Sequence, residues 1–226
     1  EMFTAVRMTL HHSNGHFVKA AKEPERRVKL RRQPFAQGGF RNVYVMIADN
    51  VKMVAKESRY EVPYSERLKF HIDSSRCMAR ASKLAQRYNL FKPPHLPTVE
   101  YLKGDVWRLN DPSSPGGYRY LAVEPWLDGP YAKYNSNSGY VSPTDSAACR
   151  IAQAFSHFTF HATKGKEMVV DLQGSGYRYT DPQLHSCSMD YGRGDRALQG
   201  FNDFFHSHVC NAYCDALGLK EDKARR

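Results

Sequence analysis

The sequence contains no apolar run of 18 residues or more, so it offers no membrane-spanning helix. It shows no signal-peptide pattern, no internal repeat and no long low-complexity segment. It opens on Glu1 rather than Met, so a longer parent protein is expected. The five cysteines, Cys77, Cys149, Cys187, Cys210 and Cys214, are odd in number and scattered. That argues against a disulfide framework and points to a reducing, cytoplasmic setting. Acidic residues are scarce, with 23 Asp and Glu against 33 Lys and Arg, a formal net charge of +10. What is present suffices for a packed core. With 226 residues, 41% of them hydrophobic and 12% aromatic, the chain is one large domain or two small lobes and not a disordered segment.

The positive charge is uneven. Residues 1–60 hold 12 Lys and Arg but only 5 Asp and Glu, and so carry most of the surplus. Such a surface favours anionic partners, whether nucleotide phosphates, acidic proteins or nucleic acid.

Along the chain, residues 2–10 read as a strand and Asn14-Gly15 as a turn. Val28-Lys29-Leu30 alternates as an edge strand would. The glycine turn Gln37-Gly38-Gly39-Phe40-Arg41 leads into a strand over 42–47, and Asp49-Asn50 turns it into another over 51–56. These pieces read together as an antiparallel meander. Residues 64–90 have helical spacing and stop at Pro93-Pro94. Two more strands are expected near 98–109 and 118–124. The character changes after Glu124-Pro125-Trp126-Leu127, which suggests a hinge at 124–130 between lobes at 1–123 and 131–226. Beyond it, helices are expected over about 143–161, capped by Thr144, and over about 198–217, with a charged tail from Lys220.

Several clusters can carry chemistry. The apolar strand Met168-Val169-Val170 ends in Asp171-Leu172-Gln173, followed by Gly174, Gly176 and Asp181. Two carboxylates and an amide at this spacing suit Mg²⁺ with substrate phosphates, and equally suit turns and caps. Gly38 and Gly39 let backbone approach a phosphate, although any hairpin turn can hold two glycines. Lys56 ends the next strand, where a lysine can reach phosphates or simply be solvated. His208, Cys210 and Cys214 suit Zn²⁺, with Cys210 and Cys214 four apart on one helical face. His208 lies only two before Cys210, so the helix must be distorted there or begin late. A fourth ligand must come from elsewhere, with His157 favoured over His161, His185 and His206.

Taken in order, the segments QPFAQGGFRNVY, VAKES, EPWLDGPYAKYNSNSG, AFSHFTF, VVDLQGSGYRYTDPQLH and FFHSHVCNAYC resemble the α-kinase family of atypical protein kinases. The resemblance runs from about Arg32 to Leu219 and implies an α+β, two-lobed kinase fold. It implies an antiparallel-sheet N-lobe and a mixed C-lobe with a structural zinc site. The implied activity is transfer of the γ-phosphate of Mg-ATP to a protein Ser or Thr, with Thr favoured. It assigns Lys56, Arg41, Gly38 and Gly39 to the ATP phosphates, and Glu124 and Leu127 to adenine through backbone groups. Asp171 and Gln173 would hold Mg²⁺, Asp181 would act on the substrate hydroxyl, and His157, His208, Cys210 and Cys214 would bind Zn²⁺. Calmodulin or other regulators would act outside this chain.

Two features depart from the family pattern. The glycine motif Gly192-Arg193-Gly194-Asp195-Arg196-Ala197 ends in Ala197 where glycine is usual, which bears on substrate handling. The helix at 64–90 offers Lys56 only Glu66 and Asp73 as acidic partners. The competing readings are a non-enzymatic, ATP-binding pseudokinase and a zinc-containing nucleic-acid binder. The second lacks the aromatics that single-strand binders interleave with their basic residues, here over 19–32.

Overall fold

The computed structural model describes residues 1–8, 10–13, 16–19, 24–60, 63 and 66–220, and of 10–13 and 16–19 the backbone alone. The expected Asn14-Gly15 turn, the helix start at 64 and the tail beyond Lys220 lie outside the described residues. Two compact units are present, Glu1–Ser75 with Lys103–Trp126, and Arg76–Leu102 with Leu127–Arg226. This differs from a division at 124–130. Residues 124–126 belong with the first unit, and 76–102 join the second. No helix among the described residues is long and apolar enough to cross a membrane.

Among the described residues, the strands before the first helix are β1 (Met2–Met8), β2 (Leu10–Ser13), β3 (His16–Lys19), β4 (Arg26–Leu30), β5 (Ala36–Gln37), β6 (Arg41–Ala48) and β7 (Val51–Ser58). Helix α1 (Arg67–Phe91) follows, then β8 (Glu100–Tyr101), β9 (Asp105–Asn110) and β10 (Tyr118–Pro125). The expected strand at 98–109 is therefore two strands, which fall in different units.

In the first unit the strands do not form a simple meander. They run in the order β4-β1-β9-β10-β7-β6, and β4 also pairs with β6, which closes the ring. Val28 thus faces Phe3 on one side and Ala48 on the other. The reading of 28–30 as an edge strand is corrected, because alternation alone cannot distinguish an edge from a strand paired on both sides. Inside the ring lie Val28, Leu30, Met46, Trp107, Leu109 and Leu121. Alternate residues such as Lys29 and Arg31 point outward, as barrel geometry requires. The β6–β7 turn is the expected Asp49-Asn50, with φ of 50° and 62°, the left-handed pair that a two-residue hairpin favours.

The second unit contains the end of α1, β8, β11 (Ala132–Lys133), α2 (Ala147–Ala162), β12 (Glu167–Val170) and β13 (Gln173–Ser175). It continues with β14 (Arg178–Tyr179), β15 (Gln183–Ser186), α3 (Ala197–Ser207) and α4 (Ala212–Ala216). Cys77, Ala81, Leu84, Ala85 and Tyr88 bury one face of α1 against Phe155, Phe158 and Tyr179. Strand β12 is buried on both faces. Val169 joins that core, while Met168 and Val170 join a second one with Phe201, Phe204 and Phe205.

Two helix boundaries differ from expectation. α2 is capped by Ser146, whose hydroxyl accepts from the Cys149 amide at 3.1 Å, and not by Thr144. The last helix is broken. α3 stops at Ser207 and α4 starts after Asn211, whose side chain caps it by accepting from the Tyr213 amide at 2.9 Å.

At the head of α3, Ala197 has φ 49°, a region where its Cβ is strained. The Asp195 carboxylate accepts from the Ala197 amide at 2.9 Å and holds it there. Replacing Ala197 with Gly relieves the strain. We expect a stabilisation of about 1 kcal/mol, which for a domain of this size raises Tm by roughly 2–4 °C. A thermal melt in which Ala197→Gly lowers Tm would contradict this.

Candidate functional site

In the first unit, β7 delivers Lys56 next to β10, and Lys56 Nζ meets Glu124 Oε1 at 2.7 Å. Both side chains are more than nine-tenths buried. The register explains the meeting. Ala122 pairs with Lys56 and Glu124 with Val54, so lysine and carboxylate are diagonal neighbours on one face. The lysine thus meets a carboxylate delivered by the adjacent strand, a partner that the helix acids Glu66 and Asp73 did not suggest. Two desolvated charges at this distance depend on each other, and removing one strands the other in the interior.

Arg41 begins β6 and is also buried. Its guanidinium donates to Ser74 Oγ and lies 5.6 Å from the Phe70 ring centroid, both on the first turns of α1. The glycine turn before it is pinned from β7. Arg59 donates to the Gly38 carbonyl at 2.8 Å, and the Tyr60 hydroxyl to that of Gly39 at 3.1 Å. A Cβ on Gly39 would meet nothing within 4 Å, so the turn is open for close approach by a ligand. His71, buried on α1, has its pKa pushed down to about 3 by burial, with the nearby Arg41 charge adding to the effect.

In the second unit, Asp171 leaves β12 with φ 60°, and Asp181 lies in the same left-handed region at φ 53°. The Gln173 amide donates to Asp171 Oδ2 at 3.1 Å and to the Asp181 carbonyl at 3.4 Å. The β13–β14 hairpin and the residues flanking it therefore gather all three. Gly174 is needed here, since a Cβ would come within 2.1 Å of the Arg178 carbonyl oxygen and φ is 150°. Leu127 is half-buried at the start of this unit's second segment.

Two contributors were missed from the sequence. Lys133 on β11 places Nζ 2.6 Å from Asp171 Oδ1. Burial raises the Asp171 pKa, Lys133 opposes that rise, and the neighbouring Asp181 charge adds to it. Asn135, almost fully buried, accepts from the Leu172 amide at 2.9 Å and donates to Ser156 Oγ at 3.1 Å, tying the loop to α2. The only sequence signal for either was membership of a polar stretch around 131–139, which reads as an ordinary loop.

His157, His208, Cys210 and Cys214 present ligand atoms within 4.8 Å of one another. Cys210 Sγ lies 3.7 Å from His157 Nδ1 and 3.6 Å from His208 Nε2, and Cys214 Sγ lies 3.7 Å from the same nitrogen. The edges of a tetrahedron with metal bonds of about 2.0–2.3 Å have this length, so the four residues fit a closed zinc site. The α3–α4 break makes the cluster possible. Cys210 lies in the link and Cys214 on α4, so the expected single helical face is corrected. Of the rival histidines, His185 is engaged elsewhere, its Nδ1 accepting from the Arg196 amide at 3.1 Å.

Residues 36–214 match the sequence profile of the Alpha-kinase family. Myosin heavy chain kinase B of Dictyostelium discoideum is 34% identical over 199 residues, covering 85% of this chain and 26% of its own length. Eukaryotic elongation factor 2 kinase of Homo sapiens is 35% identical over 205 residues, covering 85% of this chain and 27% of its own. The chain thus spans about a quarter of the length of these relatives. Among solved structures, the alpha-kinase domain of myosin-II heavy chain kinase A in complex with AMP-PNP superposes with a TM-score of 0.84 at 25% identity, covering 98% of this chain and 97% of that one. The same kinase's domain in complex with ADP gives 0.82 at 26% identity, covering 98% of each.

The buried His71 generates a prediction about acid stability. Its folded pKa of about 3 lies below the ordinary 6.5, so the unfolded chain takes up a proton that the folded one refuses. Stability linked to His71 is present above pH 6.5 and is lost as pH falls toward 3. Denaturant unfolding at several pH values should show a shallower acid loss in His71→Leu than in wild type, and parallel curves would refute the assignment.

Proposed function

The chain belongs to the alpha-kinase family, and from that premise we propose that it is an ATP-dependent protein kinase. It transfers the γ-phosphoryl group of Mg-ATP to a Ser or Thr hydroxyl of a protein, with Thr favoured. The observation that carries this reading is that Gln173, at the start of the β13–β14 hairpin, joins Asp171 and Asp181, both acids being held at left-handed φ. Strained backbone of this kind accumulates where chemistry needs it. The nucleotides named with the solved relatives support the same reading.

In the reaction, the substrate hydroxyl oxygen bonds to the γ-phosphorus while the bond from that phosphorus to the β-bridging oxygen breaks, and ADP leaves with the electron pair. Asp181 accepts the hydroxyl proton. Lys56, kept extended by Glu124, balances phosphate charge, and Arg41 adds to it. Asp171 and Gln173 would hold Mg²⁺ through their side-chain oxygens, and the ion would supply positive charge against the phosphates. Lys133 supplies the counter-charge that keeps the buried Asp171 ionised. Glu124 and Leu127 offer backbone groups to adenine. His157, His208, Cys210 and Cys214 would hold Zn²⁺ as a structural ion, which would tie α2 to the α3–α4 link. The five free thiols suit an intracellular setting.

Two experiments test the proposal. With Mg-ATP and a generic Thr-containing peptide, wild type should transfer phosphate and Asp181→Ala should lose at least about a hundredfold in rate. Equal background rates for both would end the enzyme reading. Metal analysis should find one zinc per folded chain, and chelation should unfold the second unit, because structural zinc supplies folding energy directly. A folded, zinc-free sample would remove that ion from the account.

A further inference from the structure

The first unit carries a groove that the proposed reaction does not use. It holds about 460 Å³, within the range of sites that bind a small ligand or a side chain. Val45 and Ile47 give it an aliphatic lining, completed by Phe35 and Trp126. The two rings are 5.6 Å apart between centroids and tilted by 43°. Phe35 is 46% exposed and Ile47 38%, an unusual amount of apolar surface to leave to water on adjacent elements.

The groove is also cationic. Lys29 pairs with Ile47 across β4–β6, and Ile47 with Lys52 across β6–β7, so one outward row reads lysine, isoleucine, lysine. Arg31 lines the same groove. Its one carboxylate, Glu1, lies 3.6 Å from Arg32. Lys29, Arg31 and Lys52 have no acidic partner among the described residues. Lys52 Nζ instead lies over the Trp126 ring, 3.3 Å from its centroid. Two ammonium groups separated by an exposed isoleucine, with no anion between them, form a surface complementary to carboxylates on either side of an apolar residue.

We propose that this groove docks an acidic peptide segment carrying one aliphatic anchor. The anchor packs against Phe35, Trp126 and Ile47, and the flanking carboxylates pair with Lys29, Arg31 and Lys52. A nucleic acid fits less well. Base stacking needs a bare aromatic face, and Trp126 is already engaged by Lys52 and packed against Phe35. The groove is distinct from the Lys56–Glu124 pair, since Lys52 precedes Lys56 by four positions on β7, about 13 Å of extended strand. Binding there needs neither ATP nor transfer, so it can be measured whether or not the kinase reading holds.

The test uses the 226-residue chain and a fluorescein-labelled 12-residue peptide of Asp and Glu with one central Leu, followed by anisotropy. Saturable binding is expected that weakens with salt. Replacing the central Leu with Ser in the peptide, or Phe35 with Ser in the protein, should each weaken binding about tenfold or more, as loss of an anchor does. The double variant Lys29→Glu with Arg31→Glu should weaken it at least as much, and a peptide with Lys in place of every acid should not bind. The serine peptide probes the anchor without altering the protein, so a fold defect in a variant cannot imitate the result. Absence of saturable binding, indifference to the anchor and to charge reversal, or tighter binding of a 12-nucleotide oligouridylate would each overturn the proposal.

Discussion

The hydrogen bond from the Leu172 amide to the buried Asn135 carboxamide, 2.9 Å long, fixes the turn that presents the Asp171 carboxylate. Asp171 leaves a strand buried on both faces, and its carboxylate is partly desolvated as a result. A turn at φ 60° in a residue other than glycine is uphill, and local contacts alone would not hold it. Asn135 holds Leu172 from one side, the Tyr134 amide donates to the Leu172 carbonyl at 2.8 Å, and Lys133 compensates the charge. Three consecutive residues of a short polar segment therefore support one catalytic candidate. Beneath them Tyr101, Tyr134 and Tyr179 pack ring against ring, so the turn rests on a rigid floor.

The first unit addresses a comparable problem with a closed ring of strands. Closure leaves β4 without an open edge and fixes the register between β7 and β10. That register brings Lys56 and Glu124 together. A buried ion pair adds little net stability compared with a well-packed apolar pair of the same volume, so its presence here is better explained by position than by energy. It holds a buried cation at one fixed point of the sheet.

The His/Cys cluster shows how a helix break serves a site. A continuous helix from α3 to α4 would send His208 and Cys210 in different directions. The break lets Asn211 cap a new helix and leaves Cys210 in the link between the helices, where it and His208 converge on His157 of α2. Burial pushes the Cys214 thiol up to about 12, and a cation at the cluster would reverse that cost. The cluster thus brings together elements that are separated by some fifty residues of sequence.

Much of this was legible in the residues. Most strands of the first unit, the helices near 64–90 and 143–161, the Asp49-Asn50 turn, the buried strand before Asp171 and the His and Cys donors all follow from local rules: alternation, turn propensity and the donor chemistry of side chains. The family follows from many ordered segments read together. Tertiary structure decided what depends on pairing across the chain. Strand alternation is the same for an edge and for a closed ring, so β4 was misread until its second partner was known. The partner of Lys56 came from register, which no spacing along the sequence encodes. Lys133 and Asn135 were ordinary loop residues until folding brought them to Asp171. Local chemistry names the groups a site can use, whereas long-range pairing decides which of them meet.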